Sequence, residues 1–146
     1  MTIKTLREKY KDHDRKGWLV LGSTSWIKGS QAAADWCKEN DKDFKILQGL
    51  THLEVLEEMA QAEGFVYLPV GGDTCPRMVI EAQLLGCQLH INENVQHQSE
   101  IPFCENDIEE IEVYLYGSRS LFWNWIMKDM EFQPDISGYT TTYNCI

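Results

Sequence analysis

Four short strand-like segments, at residues 18–21, 44–47, 65–70 and 87–91, recur along the chain, the first a compact apolar run, and each of the first three leads into a stretch with helical spacing. A run apolar on both faces is a strand covered on both sides, which is the habit of parallel sheets. Strands alternating with helices of roughly ten residues, joined by short loops, require right-handed crossovers and a layer of helices on each face. The expected fold class is therefore α/β, a three-layer Rossmann-like sandwich with a parallel sheet of about four to five strands. At 146 residues the chain has the length of a single domain.

The helices carry their own punctuation. Ile3, Leu6 and Tyr10 recur at helical spacing in a charged segment and predict a short amphipathic N-terminal helix. Ser30 is placed to cap a helix carrying Ala32, Ala33, Trp36 and Cys37 that stops at Asn40-Asp41. Thr51 and Glu54 have the spacing of a capping box, with Leu53, Leu56 and Ala60 on one face and Gly64 as the stop. A helix over 76–85 begins at Pro76 and ends at Gly86. Asn106 with Glu109 predicts a helix that Gly117 ends after Tyr116, and a separate aromatic helix follows over 121–130. Phe122, Trp123 and Trp125 at helical spacing read as core or as an interface to a further domain.

Composition excludes several classes of function. Thirteen Lys and Arg against 23 Asp and Glu give a net charge of −10, which disfavours nucleic acid and anionic lipid as partners. No apolar run approaches the ~20 residues of a membrane span. Residues 1–16 are charged, with neither the apolar segment nor the cleavage site of a leader, so a cytoplasmic location is expected. Five cysteines, never spaced C-x-x-C, read as reduced thiols, and four histidines show no metal-ligand spacing, so no metal is expected.

Chemistry concentrates after the third apolar run. Gly71 and Gly72 allow the backbone to approach a ligand, and the helix beyond Pro76 starts with amides that attract phosphate. That helix places one carboxylate, Glu81, among Met78, Val79, Ile80, Ala82 and Leu84, where an acid without a partner is costly. Two explanations fit: Glu81 reaches a ligand at the helix start about 7.5 Å away, or it pairs with a lysine or a backbone amide inside the fold.

Asp73 and Glu81, seven residues between them at the head of a helix closing at Gly86, resemble the E-x(7)-E region of retaining GT-B-fold glycosyltransferases, the group of glycogen and sucrose synthases. Leu21-Gly22-Ser23, a loop, and Lys28-Gly29 resemble that family's first strand and its Lys-Gly pair. The resemblance spans about residues 17–130 and corresponds to the nucleotide-sugar-binding C-terminal half of the two-domain fold. It implies that Glu81 binds the ribose hydroxyls, that Asp73 faces the donor sugar, and that Lys28 neutralises the diphosphate leaving group. Gly71, Gly72, Thr74, Ser23 and Arg77 complete the implied donor site. Lysine and helix amides can stabilise the leaving group without a metal. This chain departs from the family pattern in having Ser23 where an arginine is usual, Asp for the first glutamate, and one strand-helix pair fewer.

The implied organisation is a nucleotide-sugar-binding domain over 1–133 followed by a tail over 134–146, whose residues 136–146 resemble the opening strand of a GT-A glycosyltransferase and read equally as an extra strand. The implied partners are a nucleotide sugar as donor substrate and an acceptor-binding N-terminal GT-B domain or partner chain. Without that half the chain is expected to bind donor but not transfer sugar, and to self-associate through uncovered aromatics such as Trp26. The alternative is a non-catalytic Rossmann-like nucleotide-binding or interaction module.

Overall fold

The structure, a computed structural model, describes residues 2–74, 76–96 and 108–129. Cys75, Asn106 and the tail 134–146 lie outside the described residues. In chain order the elements are α1 (Ile3–Lys9), β1 (Trp18–Leu21), a 3-10 turn (Trp26–Lys28), α2 (Ser30–Glu39), β2 (Phe44–Leu47), α3 (His52–Gln61), β3 (Gly64–Tyr67), α4 (Arg77–Leu84), β4 (Gln88–Ile91) and α5 (Ile108–Asp129). The chain divides into two compact units, 1–112 and 113–146.

All four strands pair in parallel in the order β2-β1-β3-β4, with Trp18 in register with both Phe44 and Gly64, and Gly64 with Gln88. This is the α/β sandwich with a parallel sheet that the alternating runs predict. Period-two alternation divides the apolar side chains between two layers. Val20 and Val66 join Trp18, Ala33 and Cys37 under α2. On the opposite face Leu19, Phe65 and Tyr67 pack with Leu56, Met59 and Ala60 of α3, Val79 and Ala82 of α4, and Leu6 of α1. The Arg15 guanidinium donates to the carbonyls of Ala62 and Leu85, tying together the C-terminal ends of α3 and α4.

Local signals and tertiary contacts divide the work of placing these elements. The capping box of α3 forms as its spacing predicts: the Glu54 amide donates to Thr51 Oγ1, and Glu54 Oε2 accepts from the Thr51 amide at 2.7 Å. Four expectations need correction. Ser30 is the first residue of α2 rather than its cap, and its hydroxyl instead donates to the Leu21 carbonyl and accepts from the Ser23 amide, joining the helix start to the end of β1. Leu53 is 45% exposed, because the buried stripe of α3 runs through Leu56, Met59 and Ala60. Gly64 opens β3 instead of ending α3; a Cβ there would lie 2.6 Å from the Trp18 ring, so the indole across the sheet sets the need for glycine. Gly117 does not end a helix, since α5 runs through it for 22 residues; a helical glycine costs only ~1 kcal/mol relative to alanine, and its neighbours outweigh that.

In the second unit, the helical residues 113–129 leave Phe122, Trp123 and Trp125 more than half exposed. No described helix is long and apolar enough to cross a membrane.

Beside α2, Trp36 tilts against Trp18 and stacks on His90 of β4 with ring centroids 3.9 Å apart. Desolvation there holds the His90 imidazole below its ordinary pKa of 6.5. The native state thus favours the neutral ring, and its contribution to stability, complete above 6.5, is lost as pH falls through the lower folded value. We predict that the loss in urea midpoint between pH 7.5 and 5 is smaller in His90→Asn than in wild type; equal losses would show that this ring is not desolvated.

Candidate functional site

The strand order contains a reversal. The chain leaves β1 for β2 on one side and then crosses back to β3 on the other, so the connections from β1 and β3 diverge toward opposite faces. At such a switch point the carboxyl ends of adjacent strands leave a crevice, the usual ligand site of open α/β sheets.

Two contacts fix the walls of that crevice. Gly29 adopts a left-handed conformation, φ 66°, and a Cβ on it would overlap the Leu68 carbonyl oxygen. The Val70 amide donates to the Ile27 carbonyl at 2.8 Å. The loop after β1 therefore lies directly against the loop after β3, with Lys28 between these two contacts. Gly22 is equally constrained, since a Cβ there would come within 2.8 Å of Gln48, Ile46 and the Leu47 carbonyl.

Lys28 reaches Asp73 across the crevice, Nζ to Oδ2 at 3.0 Å. The Tyr67 hydroxyl, from the last residue of β3, donates to the same oxygen at 2.6 Å. The hydrogen bond to Asp73 raises the Lys28 pKa, so this side chain stays cationic over the whole neutral range. Burial, then the bond to Asp73, pushes the Tyr67 phenol above its ordinary 10. Asp73 is itself anchored through its backbone, donating to Asn94 and accepting from Gln96 beside a bridge to Val95.

These groups line a cleft of about 340 Å³ together with Leu21, Pro76, Arg77, Met78 and Val79. The last four belong to the start of α4. Pro76 supplies no side-chain cap, and the first turn carries Arg77 where an acidic residue would complement the helix dipole. The cleft thus combines a lysine paired with Asp73, an arginine, and a helix N-terminus to which Pro76 gives no side-chain cap, in a chain of net charge −10.

Glu81 lies one turn beyond Arg77 on α4, outside the residues that line this cleft, and only 7% of it is exposed. Its Oε1 accepts from His52 Nε2 at 2.9 Å and faces Arg77 Nε at 3.5 Å. Its Oε2 is buried with no hydrogen-bond partner among the described residues. The internal pairing is therefore present, through a histidine and an arginine rather than a lysine or backbone amide, while the second oxygen has no partner among the described residues.

The remaining predicted residues take different places. Gly71 and Gly72 adopt no left-handed φ, and a Cβ on Gly72 would meet nothing within 4 Å, so the fold itself does not demand glycine there. Thr74 is exposed in the bend before Pro76. Ser23 shapes the loop after β1, its hydroxyl accepting from the Ser25 amide at 3.1 Å. Tyr67 and His52 were not singled out from the sequence as site residues. Tyr67 looks like one more apolar strand position, and His52 shows its role only once α3 and α4 pack side by side.

The Tyr67 geometry makes a spectroscopic prediction. In an ultraviolet titration, the tyrosine signal removed by Tyr67→Phe should be one that ionises above pH 10, with stability from its protonated form retained below 10 and lost as pH rises through the folded value. A missing signal at or below 10 would contradict its burial against Asp73. Compared with protein-family models, curated proteins and solved structures, the chain has no match.

Proposed function

We propose that this chain binds a nucleoside-diphosphate sugar in the β1/β3 crevice and serves as the donor-binding domain of a retaining glycosyltransferase. The observation that carries this reading is the joint presence, on and opposite one helix, of an uncapped cationic N-terminus, a lysine facing it, and a buried carboxylate with one unpartnered oxygen. A nucleotide has matching parts. Its diphosphate meets Lys28, Arg77 and the first amides of α4. Its ribose, extending one turn along α4 past the residues that line the cleft, supplies the hydroxyl donors that Glu81 Oε2 lacks, removing the cost of a buried orphan acceptor. Gly72, glycine without an internal reason, leaves room for the ligand to approach the backbone.

In sugar transfer, negative charge grows on the departing diphosphate as the anomeric bond stretches. Lys28 stabilises that charge because Asp73, itself fixed by the Tyr67 hydroxyl, already holds its ammonium at the crevice, so little reorganisation is needed. Asp73 stands beside the sugar's expected position. The acceptor is positioned, and water excluded, by an acceptor-binding GT-B domain or a partner chain.

One observation favours a second reading. Asp73 Oδ2 is engaged by both Lys28 and Tyr67, as befits a structural brace, and a serine stands where the resembled family has a second diphosphate cation. On that reading the chain is a non-catalytic nucleotide-binding or interaction module.

Titration with UDP, GDP, ADP and their sugars tests both. Glu81→Gln should weaken nucleotide binding by ~1–2 kcal/mol, the order of a hydrogen bond to a charged group. Lys28→Ala should weaken diphosphate binding more than nucleoside binding, and the difference should shrink with added salt. Unchanged affinity in Glu81→Gln would remove the ribose role, and equal losses of diphosphate and nucleoside would make Lys28 structural. Nucleotide release that depends on a sugar acceptor, measured with an acceptor-binding domain supplied, separates the transferase from the module.

A further inference from the structure

We infer that His52 is a positioning residue that orients Glu81 for its ligand, an inference that rests on the nucleotide reading above and extends it to a residue on a different helix. A carboxylate oxygen accepts, so His52 Nε2 carries the proton in its 2.9 Å contact with Oε1. Arg77 Nε approaches the same oxygen at 3.5 Å. One hydrogen-bond donor and one nearby guanidinium on Oε1 orient the carboxylate, and with it Oε2, the buried acceptor with no partner among the described residues. Without His52, the carboxylate can rotate to offer either oxygen to Arg77, and the acceptor is no longer preorganised.

His52 is poorly explained as a packing residue. Its side chain is 55% exposed. It is the first residue of α3, but the start of that helix is held separately by the reciprocal Thr51–Glu54 box. The histidine can therefore be removed without removing the cap. What it supplies is a donor, from α3, to a carboxylate on α4.

The ligand group that Oε2 selects is a hydroxyl, and the consequence is discrimination between ribonucleotides and their 2′,3′-dideoxy counterparts. The test measures Kd of wild type, His52→Ala, His52→Gln and Glu81→Gln for UDP, GDP and ADP and for the dideoxy form of each by calorimetry, with urea midpoints as a folding control. Wild type should prefer the ribonucleotide by about tenfold, the order of one hydrogen bond to a charged acceptor. Glu81→Gln and His52→Ala should both lose most of that preference while binding the dideoxy form as wild type does. His52→Gln, which keeps a side-chain N–H donor, should restore much of it.

Retention of the full preference by His52→Ala, or the same weakening of ribo and dideoxy forms, would overturn the positioning role and leave the nucleotide reading standing. A His52→Gln variant as poor as His52→Ala would overturn the hydrogen bond as its basis. Failure of the wild type to bind any of these nucleotides would overturn the nucleotide reading and this inference together, whereas equal binding of the two forms by wild type would overturn the ribose role of Glu81 and this inference while leaving nucleotide binding in place.

Discussion

The crevice depends on one close approach, that of Gly29 to the Leu68 carbonyl. Because no side chain stands between them, the turn that ends the first loop lies directly on the backbone leaving β3. The Val70–Ile27 hydrogen bond continues the contact, and Lys28 is thereby delivered to the switch point of the sheet. Any Cβ at position 29 would both force a left-handed backbone onto an L side chain, costing ~1–2 kcal/mol, and separate the loops. The cation that gives the site its character is held by the absence of a side chain next to it.

The two acids occupy contrasting environments. Asp73 belongs to a compact network in which one oxygen accepts from a lysine and a phenol, and its backbone is tied to the loop after β4. Glu81 is buried among apolar neighbours with donors on one oxygen only. Leaving a buried acceptor unmade costs ~1–3 kcal/mol, more when it is charged, whereas a satisfied network rigidifies its surroundings. Asp73 is accordingly the more settled of the two groups, and Glu81 the one left with an unmet acceptor among the described residues.

A chain carrying −10 repels anions at long range. In the cleft Lys28 is paired with Asp73 and Arg77 faces Glu81, so the two cations are balanced by two acids and the N-terminus of α4 adds only a partial positive charge. At physiological salt the screening length is ~8 Å, so a phosphate in the cleft responds to these nearby groups more than to the distant acids. The anion binding proposed for this cleft would rest on contact geometry, with no steering from the bulk of the surface.

The sequence by itself determined the layered α/β plan. The strands read at 18–21 and 44–47 coincide with β1 and β2 to the residue, and the Thr51–Glu54 box marks the start of α3, because strand propensity and helix capping are settled within a few neighbouring residues. It also brought out Glu81 as a carboxylate out of place on an apolar helix, and Lys28 and Asp73 through a family resemblance. Tertiary structure alone decided which groups meet. Ser30, read locally as a cap, is turned to the Leu21 carbonyl by the approach of α2 to β1. Gly64, read as a helix stop, is required by an indole on the neighbouring strand. Tyr67 and His52 enter the site from 6 and 29 residues away from their acids, distances at which no sequence pattern records a contact, because parallel strand pairing and the packing of α3 against α4 set them.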